Sequence, residues 1–271
     1  MAEEKAAEPS SLIMINETID EMRGYDLRVI QPAQGYRFSL DPLLLCDFAG
    51  VGEGGEVIDL GTGTGIIPLL MARQCGSSKI VGVEMQEEMA ALAGRNVVLN
   101  GLADRVEIIC CDILSLRKRF PASSFDLVVA NPPYRKQGTG RISPKSGRDR
   151  ARHETTATLA DFLEVAKYLV SPTGTISFIY HPVRLVEFCS VAAALKLALL
   201  RMRTVHGNSG AAARMALLEL AKGSKGDLEV LPPLFVYGED GEYSEEVKRV
   251  LSGRFYQGGL RRSGSPALEP G

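Results

Sequence analysis

Short apolar runs alternate with helical patterns through most of this 271-residue chain. Val57 to Leu60, Lys79 to Glu84, Arg105 to Ile109, Phe125 to Ala130 and Thr175 to Tyr180 read as strands. All but the third are apolar on both faces, the mark of parallel strands buried between two helical layers. The intervening segments carry helical spacing. Ile66 to Gln74 follows a glycine-rich turn. Gln86 to Asn100 repeats Met89, Leu92, Ala93 and Val97 and stops at Asn100-Gly101, a left-handed cap. Thr158 to Val170 opens with Thr158 and Asp161 in capping-box spacing, repeats Leu159, Phe162, Leu163, Ala166 and Leu169, and stops at Ser171-Pro172-Thr173-Gly174. Repeated β-α units of this kind predict a doubly wound parallel sheet. Val183 to Leu197 is a further helix. Leu199 to His206 and Arg214 to Lys222 read as two more strands, the latter overlapping a stretch, Ala211 to Leu220, that is helical by propensity. A strand pair beside the five-stranded core makes a mostly parallel seven-stranded α/β sheet with helices on both faces.

Upstream of this pattern, Leu27 to Gln31 alternates like a strand, and Asp41-Pro42-Leu43 opens a helix with Asp41 as cap and Pro42 in its first position. Residues 1–16 and 260–271 are rich in Ala, Glu, Ser, Gly and Pro without apolar periodicity, and are expected to be mobile tails. The expected division is therefore a tail over 1–16, an extension over 17–50 covering one end of the core, a main domain over 51–259 and a tail over 260–271.

Composition narrows the class without naming a partner. The chain is 45% hydrophobic and 24% charged with a net charge of −2, an ordinary globular balance. Its five cysteines form no C-x-x-C pair and no Cys/His cluster, so neither a disulfide framework nor a metal site is expected, and a reducing cytoplasm fits best. The first ten residues lack the basic start and apolar stretch of a secretory signal. The greasiest region, Val191 to Leu200, contains Lys196 and falls short of the ~20 residues that span a bilayer, so no membrane partner is expected.

In an open parallel sheet, ligands settle beyond the carboxyl ends of the strands where strand order reverses, which ranks strand-end residues above others. Four strand ends carry candidates. Asp59-Leu60-Gly61-Thr62-Gly63-Thr64-Gly65 lets backbone pass close to a ligand before a helix begins. Its glycine spacing departs from the G-x-G-x-x-G dinucleotide fingerprint, and no Gly-Lys-Ser/Thr continuation marks a triphosphate loop. Glu84, nineteen residues past Gly65, is placed to accept the two hydroxyls of a cofactor ribose. Asp112, with Ile113 after it, either takes an adenine amino group or caps the segment that follows. Asn131-Pro132-Pro133-Tyr134 combines a side-chain amide, a rigid diproline and an aromatic ring. Asn131 and the Pro132 carbonyl suit accepting the protons of a planar amine, and Tyr134 suits stacking on its flat face; taken alone, the string is also an excellent turn.

These motifs together resemble the signature of class I, Rossmann-like S-adenosylmethionine-dependent amino-methyltransferases. The upstream Gln31 with Gly35-Tyr36-Arg37-Phe38-Ser39-Leu40-Asp41, the downstream Ala151-Arg152-His153-Glu154 and the late Leu231-Pro232-Pro233-Leu234 are similar to the bacterial tRNA adenine-N6 methyltransferases that modify an anticodon-loop adenine. The likeness runs over roughly residues 25–255. The resemblance implies S-adenosylmethionine as cofactor, contacted or bordered by Phe38, Asp41, Asp59, Gly61, Gly63, Glu84, Met85, Asp112, Ile113 and Asn131, with residues 17–50 covering its pocket. It also implies catalysis by Asn131, Pro132 and Tyr134 on an exocyclic amine. Protein glutamine N5-methyltransferases of release factors share the Asn-Pro-Pro-Tyr grip, and a non-catalytic RNA-binding protein would share the fold; both remain as alternatives.

The residues add a clue to the substrate. Arg135, Lys136, Arg141, Lys145, Arg148, Arg150 and Arg152 stand against Asp149 alone, a local charge of +6 in a chain of net −2. This glycine- and serine-rich segment directly follows the amine-gripping motif; it reads either as a phosphate-neutralising loop that orders on RNA or as a disordered surface lid, and under the resemblance above the first reading implies tRNA as partner.

Overall fold

The computed structural model describes residues 12–33, 39–50, 54–76, 78–132, 157–223 and 227–254. A hairpin of β1 (Glu17–Met22) and β2 (Leu27–Pro32) leads into α1 (Asp41–Ala49). The alternating core follows: β3 (Glu56–Leu60), α2 (Ile66–Gln74), β4 (Lys79–Glu84), α3 (Glu87–Leu99), β5 (Val106–Cys110) and β6 (Phe125–Ala130). Then come α4 (Leu159–Leu169), β7 (Val170–Tyr180), α5 (Leu185–Ala194), β8 (Leu197–His206) and β9 (Ala213–Lys222), with short β10 (Glu229–Val230) and β11 (Leu234–Phe235) and α6 (Glu245–Leu251) at the end.

The main sheet runs β10-β8-β9-β7-β6-β3-β4-β5, with β11 also on β8. β9 runs antiparallel to both of its neighbours, and every other pairing in this sheet is parallel. The expected seven-stranded arrangement is therefore present, with β10 and β11 as additions at one edge. Side chains such as Val57, Ile80, Leu127, Val129, Ile179 and Leu217 pack with α1, α2 and α6 on one face. Ile58, Leu60, Val81, Val128, Phe178 and Leu218 pack with α4 and α5 on the other. Strand order reverses at β3, between β4 and β6.

The local signals behave as their chemistry dictates. Thr158 accepts the Asp161 amide while Asp161 accepts the Thr158 amide, a complete capping box at α4. Gly101 adopts φ +63° after α3. One expectation needs correction. Asp41 is not the cap of α1: Leu40 is already helical, its carbonyl accepts the Leu44 amide at 3.1 Å, and Asp41 becomes the first residue inside. The helix stops where Ser171-Pro172-Thr173-Gly174 predicts; these four residues are continuous with β7 but bulge out of register, since pairing with β6 passes from Phe125–Val170 to Leu127–Thr175, and a Cβ on Gly174 would stand 2.6 Å from the Asp126 carbonyl oxygen. Ahead of the hairpin, Arg95 of α3 donates to the Leu12 carbonyl and pairs with both Glu17 carboxylate oxygens, each contact at 2.7 Å.

The hairpin is docked on α3 by side-chain amides. Asn100 accepts the Arg28 amide at 2.9 Å and donates to its carbonyl at 2.7 Å, and one turn earlier Asn96 does the same for Ile30. At the far end of the chain, Arg249 of α6 grips Asp47 of α1 with two bonds of 2.9 and 2.8 Å, and Val247 and Val250 are buried beneath.

Candidate active site

Parallel register brings the four strand ends to one edge. Leu60 lies opposite Val83 on β4 and Ala130 on β6, and Glu84 lies opposite Cys110 on β5. Gly61 and Asn131 thus directly follow β3 and β6, Glu84 ends β4 and Asp112 stands two residues past β5, all at the carboxyl edge of the sheet next to the reversal point.

The glycine turn is held peptide by peptide. Gly61 and Thr62 amides both donate to the Val83 carbonyl, at 2.9 and 2.8 Å, and the Gly63 amide donates to Glu84 Oε2 at 3.0 Å. Glu84 is buried, and its Oε1 accepts the Gln86 amide at 2.9 Å. Each carboxylate oxygen keeps a lone pair for a further donor. Gly61, Gly63 and Gly65 take φ of +78°, +58° and +81°, a conformation that favours glycine. At Gly63 an added Cβ would meet nothing within 4 Å, so the turn borders open space that backbone alone faces. Gly82, in the middle of β4, makes room beneath: a Cβ there would come within 3.1 Å of the Thr62 side chain and 2.8 Å of Ile108. A glycine inside an apolar strand is the sequence signal of such close approach, and it could have marked both Gly82 and Thr62.

Asp59 is the unusual group. It is fully buried, and neither carboxylate oxygen has a hydrogen-bond partner of acceptable geometry; the buried Thr62 hydroxyl beside it is equally unmatched. Burial pushes the Asp59 carboxyl up to about 7; the Thr62 hydroxyl pulls it down, and the Glu84 carboxylate pushes it further up. Because the folded-state carboxyl titrates above its ordinary value, the ligand-free protein is expected to lose stability as pH rises from about 4 to 7. Thermal melts across that range check this, and Asp59→Asn should flatten the profile. A slope unchanged by the substitution would assign it elsewhere.

Around this centre, Asp112 caps the 3-10 turn that begins at Ile113, accepting the Leu114 amide at 2.9 Å through one oxygen. The capping reading is thus realised through Oδ1. Ile113 is buried and Met85 is 44% exposed at the end of β4. Asn131 is half-buried and Pro132 buried. Burial raises the Asp41 carboxyl, opposed by Ser39. Phe38, Tyr134 and the basic residues Arg135, Lys136, Arg141, Lys145, Arg148, Arg150 and Arg152 lie outside the described residues. Among the described residues no cluster of His, Cys, Asp and Glu is suited to a metal ion, and no helix is long and apolar enough to cross a membrane.

The arrangement can therefore hold a polar, ribose-bearing ligand against the glycine turn and a planar amine at Asn131. A family model described as a methyltransferase domain matches residues 52–219. A protein of Porphyromonas gingivalis strain W83, named tRNA1(Val) (adenine(37)-N6)-methyltransferase, is 33% identical over 176 residues, covering 63% of this chain and 68% of its own length. A Shewanella sp. MR-4 protein of the same name is 31% identical over 221 residues, covering 79% and 89%. Another from Shewanella halifaxensis is 34% identical over 145 residues; that match covers 54% of this chain and less than two thirds, 58%, of the relative. Among solved structures, a predicted O-methyltransferase from Agrobacterium tumefaciens superposes with a TM-score of 0.66 at 22% identity, covering 79% of this chain and 96% of the other. That likeness establishes the Rossmann-like fold.

Proposed function

The chain belongs to the methyltransferase-domain family, and from that premise we propose that it transfers the methyl group of S-adenosylmethionine to N6 of an adenine in tRNA. The observation that carries this reading is the register of β3 against β6, which sets Asn131-Pro132 beside the glycine turn. The names borne by the relatives favour the tRNA adenine over a protein glutamine, and the +6 segment after Tyr134 supports a phosphate-rich partner. Five cysteines without a disulfide fit a reducing cytoplasm.

The residues present fit the cofactor. A Cβ on Gly63 would meet nothing within 4 Å, so a ligand can lie directly against the backbone of the turn, and each Glu84 oxygen keeps a lone pair beside it. Gly61 and Gly63 would lie along the cofactor, Glu84 would accept its ribose hydroxyls, and Met85, Asp112 and Ile113 would hold its adenine. Phe38 and Asp41 would border it. When bound, S-adenosylmethionine supplies an electrophilic methyl on a sulfonium. The protein does the rest by position. Asn131 Oδ1 and the Pro132 carbonyl would each accept a hydrogen bond from the target amine, turning its lone pair toward the methyl group, and Tyr134 would stack on the base to fix its plane; as the N–C bond forms the S–C bond breaks to leave the thioether, and the nitrogen's surplus proton passes to solvent. Holding the nitrogen in line at near-contact distance accounts for most of the acceleration, and no strong base is needed. The base reaches this grip splayed out of its stack.

Incubation with radiolabelled S-adenosylmethionine and separate tRNA, ribosomal RNA, DNA and protein fractions tests the proposal. Label is expected in tRNA as N6-methyladenine. Label confined to protein would overturn the substrate, and failure of the chain to bind the cofactor in a titration would overturn the activity.

A further inference from the structure

We infer that Asn96, a residue of α3 remote from any transferring atom, is a positioning residue that sets the glycine turn and thereby the affinity for S-adenosylmethionine; the inference rests on the cofactor reading above. Asn96 is fully buried. Its amide nitrogen donates to two carbonyls, Ile30 at 3.0 Å and Thr64 at 2.9 Å, while its oxygen accepts the Ile30 amide at 2.7 Å. One side chain therefore joins three elements: the helix that carries it, the hairpin strand β2 and the glycine turn.

The Thr64 carbonyl has particular need of that donor. α2 begins at Ile66 with Gly65 as its left-handed N-cap, and the first helical bond runs from the Leu69 amide to the Gly65 carbonyl. Thr64 stands one residue outside, so its carbonyl takes no part in the helical ladder, and the residue is buried away from water. The Gly65 amide, the other half of the same peptide, donates to the Thr62 carbonyl at 3.0 Å, so losing the Asn96 donor would leave that peptide held from one side alone and its carbonyl buried without a partner. α3 packs on the same peptide from the side: a Cβ on Gly65 would stand 3.1 Å from that of Ala93, one turn before Asn96. The amino half of the turn is fixed by Val83 and Glu84, and the carboxyl half by the Gly65–Thr62 bond together with Asn96. Only an amide meets the demand, since both carbonyls need donors and the Ile30 amide needs an acceptor. A carboxylate of the same shape supplies no donor and sets a charge against two carbonyl oxygens.

Asn100 provides the control. It makes the equivalent pair of bonds to Arg28 on the same strand, donates also to the Asn96 main-chain carbonyl at 2.7 Å, and has no bond to the turn. The test compares Asn96→Asp, Asn96→Ala and Asn100→Ala by calorimetric titration with S-adenosylmethionine, thermal melting, and steady-state rates with tRNA. Both alanine variants should lower the melting temperature. The two Asn96 variants alone should weaken cofactor binding, by about tenfold or more, and raise KM for the cofactor while KM for tRNA and kcat at saturating cofactor stay within about twofold. Asn96→Asp should be the worse of the two for cofactor. Equal loss of cofactor affinity in Asn100→Ala would reduce Asn96 to a general stability role, and unchanged affinity in folded Asn96→Asp would overturn the inference. If the unsubstituted protein itself failed to bind the cofactor, the functional reading would fall instead.

Discussion

Asn131→Ala is expected to lower kcat/KM for tRNA methylation by about 10²–10³-fold, the usual result of removing one preorganised hydrogen-bonding group from a reacting centre. The loss should sit in kcat. Asn131 follows the last residue of β6 and is half-buried, so its removal leaves the strand and its register intact. Cofactor affinity should change much less, because the glycine turn, Glu84 and Asp112 are untouched. Initial rates with labelled cofactor, alongside titration of the same variant, separate the two quantities. A rate within threefold of the unsubstituted protein would remove Asn131 from the chemistry.

Glu84→Ala is expected to act on the opposite parameter. The carboxylate would lose its bonds to the two ribose hydroxyls, each charge-assisted and worth roughly 1.5 kcal/mol or more. Together they amount to about 3 kcal/mol, or ~10²-fold in Kd. The Gly63 amide would also lose its acceptor, which loosens the turn from the side opposite Asn96. Because the Val83 carbonyl still holds Gly61 and Thr62, the fold should survive. The rate should therefore recover largely at high cofactor concentration. Calorimetric titration is the direct measurement, and affinity equal to that of the unsubstituted protein would refute the assigned contact.

The parts of this molecule that could be read from residues are those whose chemistry is local. Strands buried on both faces announce themselves as uninterrupted apolar runs, so β3, β4 and β6 were legible almost to the residue, as was the capping box at Thr158. The glycine turn and Glu84 were legible because their spacing follows strands. What escaped depends on partners distant in the chain. β1 reads as Glu-Thr-Ile-Asp-Glu-Met, with polar residues where a strand would be apolar, because Glu17 meets Arg95 and Asp20 meets Gln31 rather than a greasy core. α6 is seven residues long, too short for its two buried valines to show a period. Asn96 looks like any polar position on a helix until β2 and Thr64 are laid beside it. Asp112 carried two readings from the start, and the capping bond to Leu114 is compatible with both.

The antiparallel β9 carries a consequence for synthesis. It lies between β7 and β8, although it leaves the ribosome after both. A nascent chain that has reached His206 must keep the open edge of β7 uncovered and β8 without its neighbour until ten further residues, Ala213–Lys222, arrive to slot between them. An unpaired edge beside an apolar strand such as Phe178-Ile179-Tyr180 invites association with other chains. Premature termination anywhere before Lys222 would thus yield an aggregation-prone fragment rather than a smaller working protein.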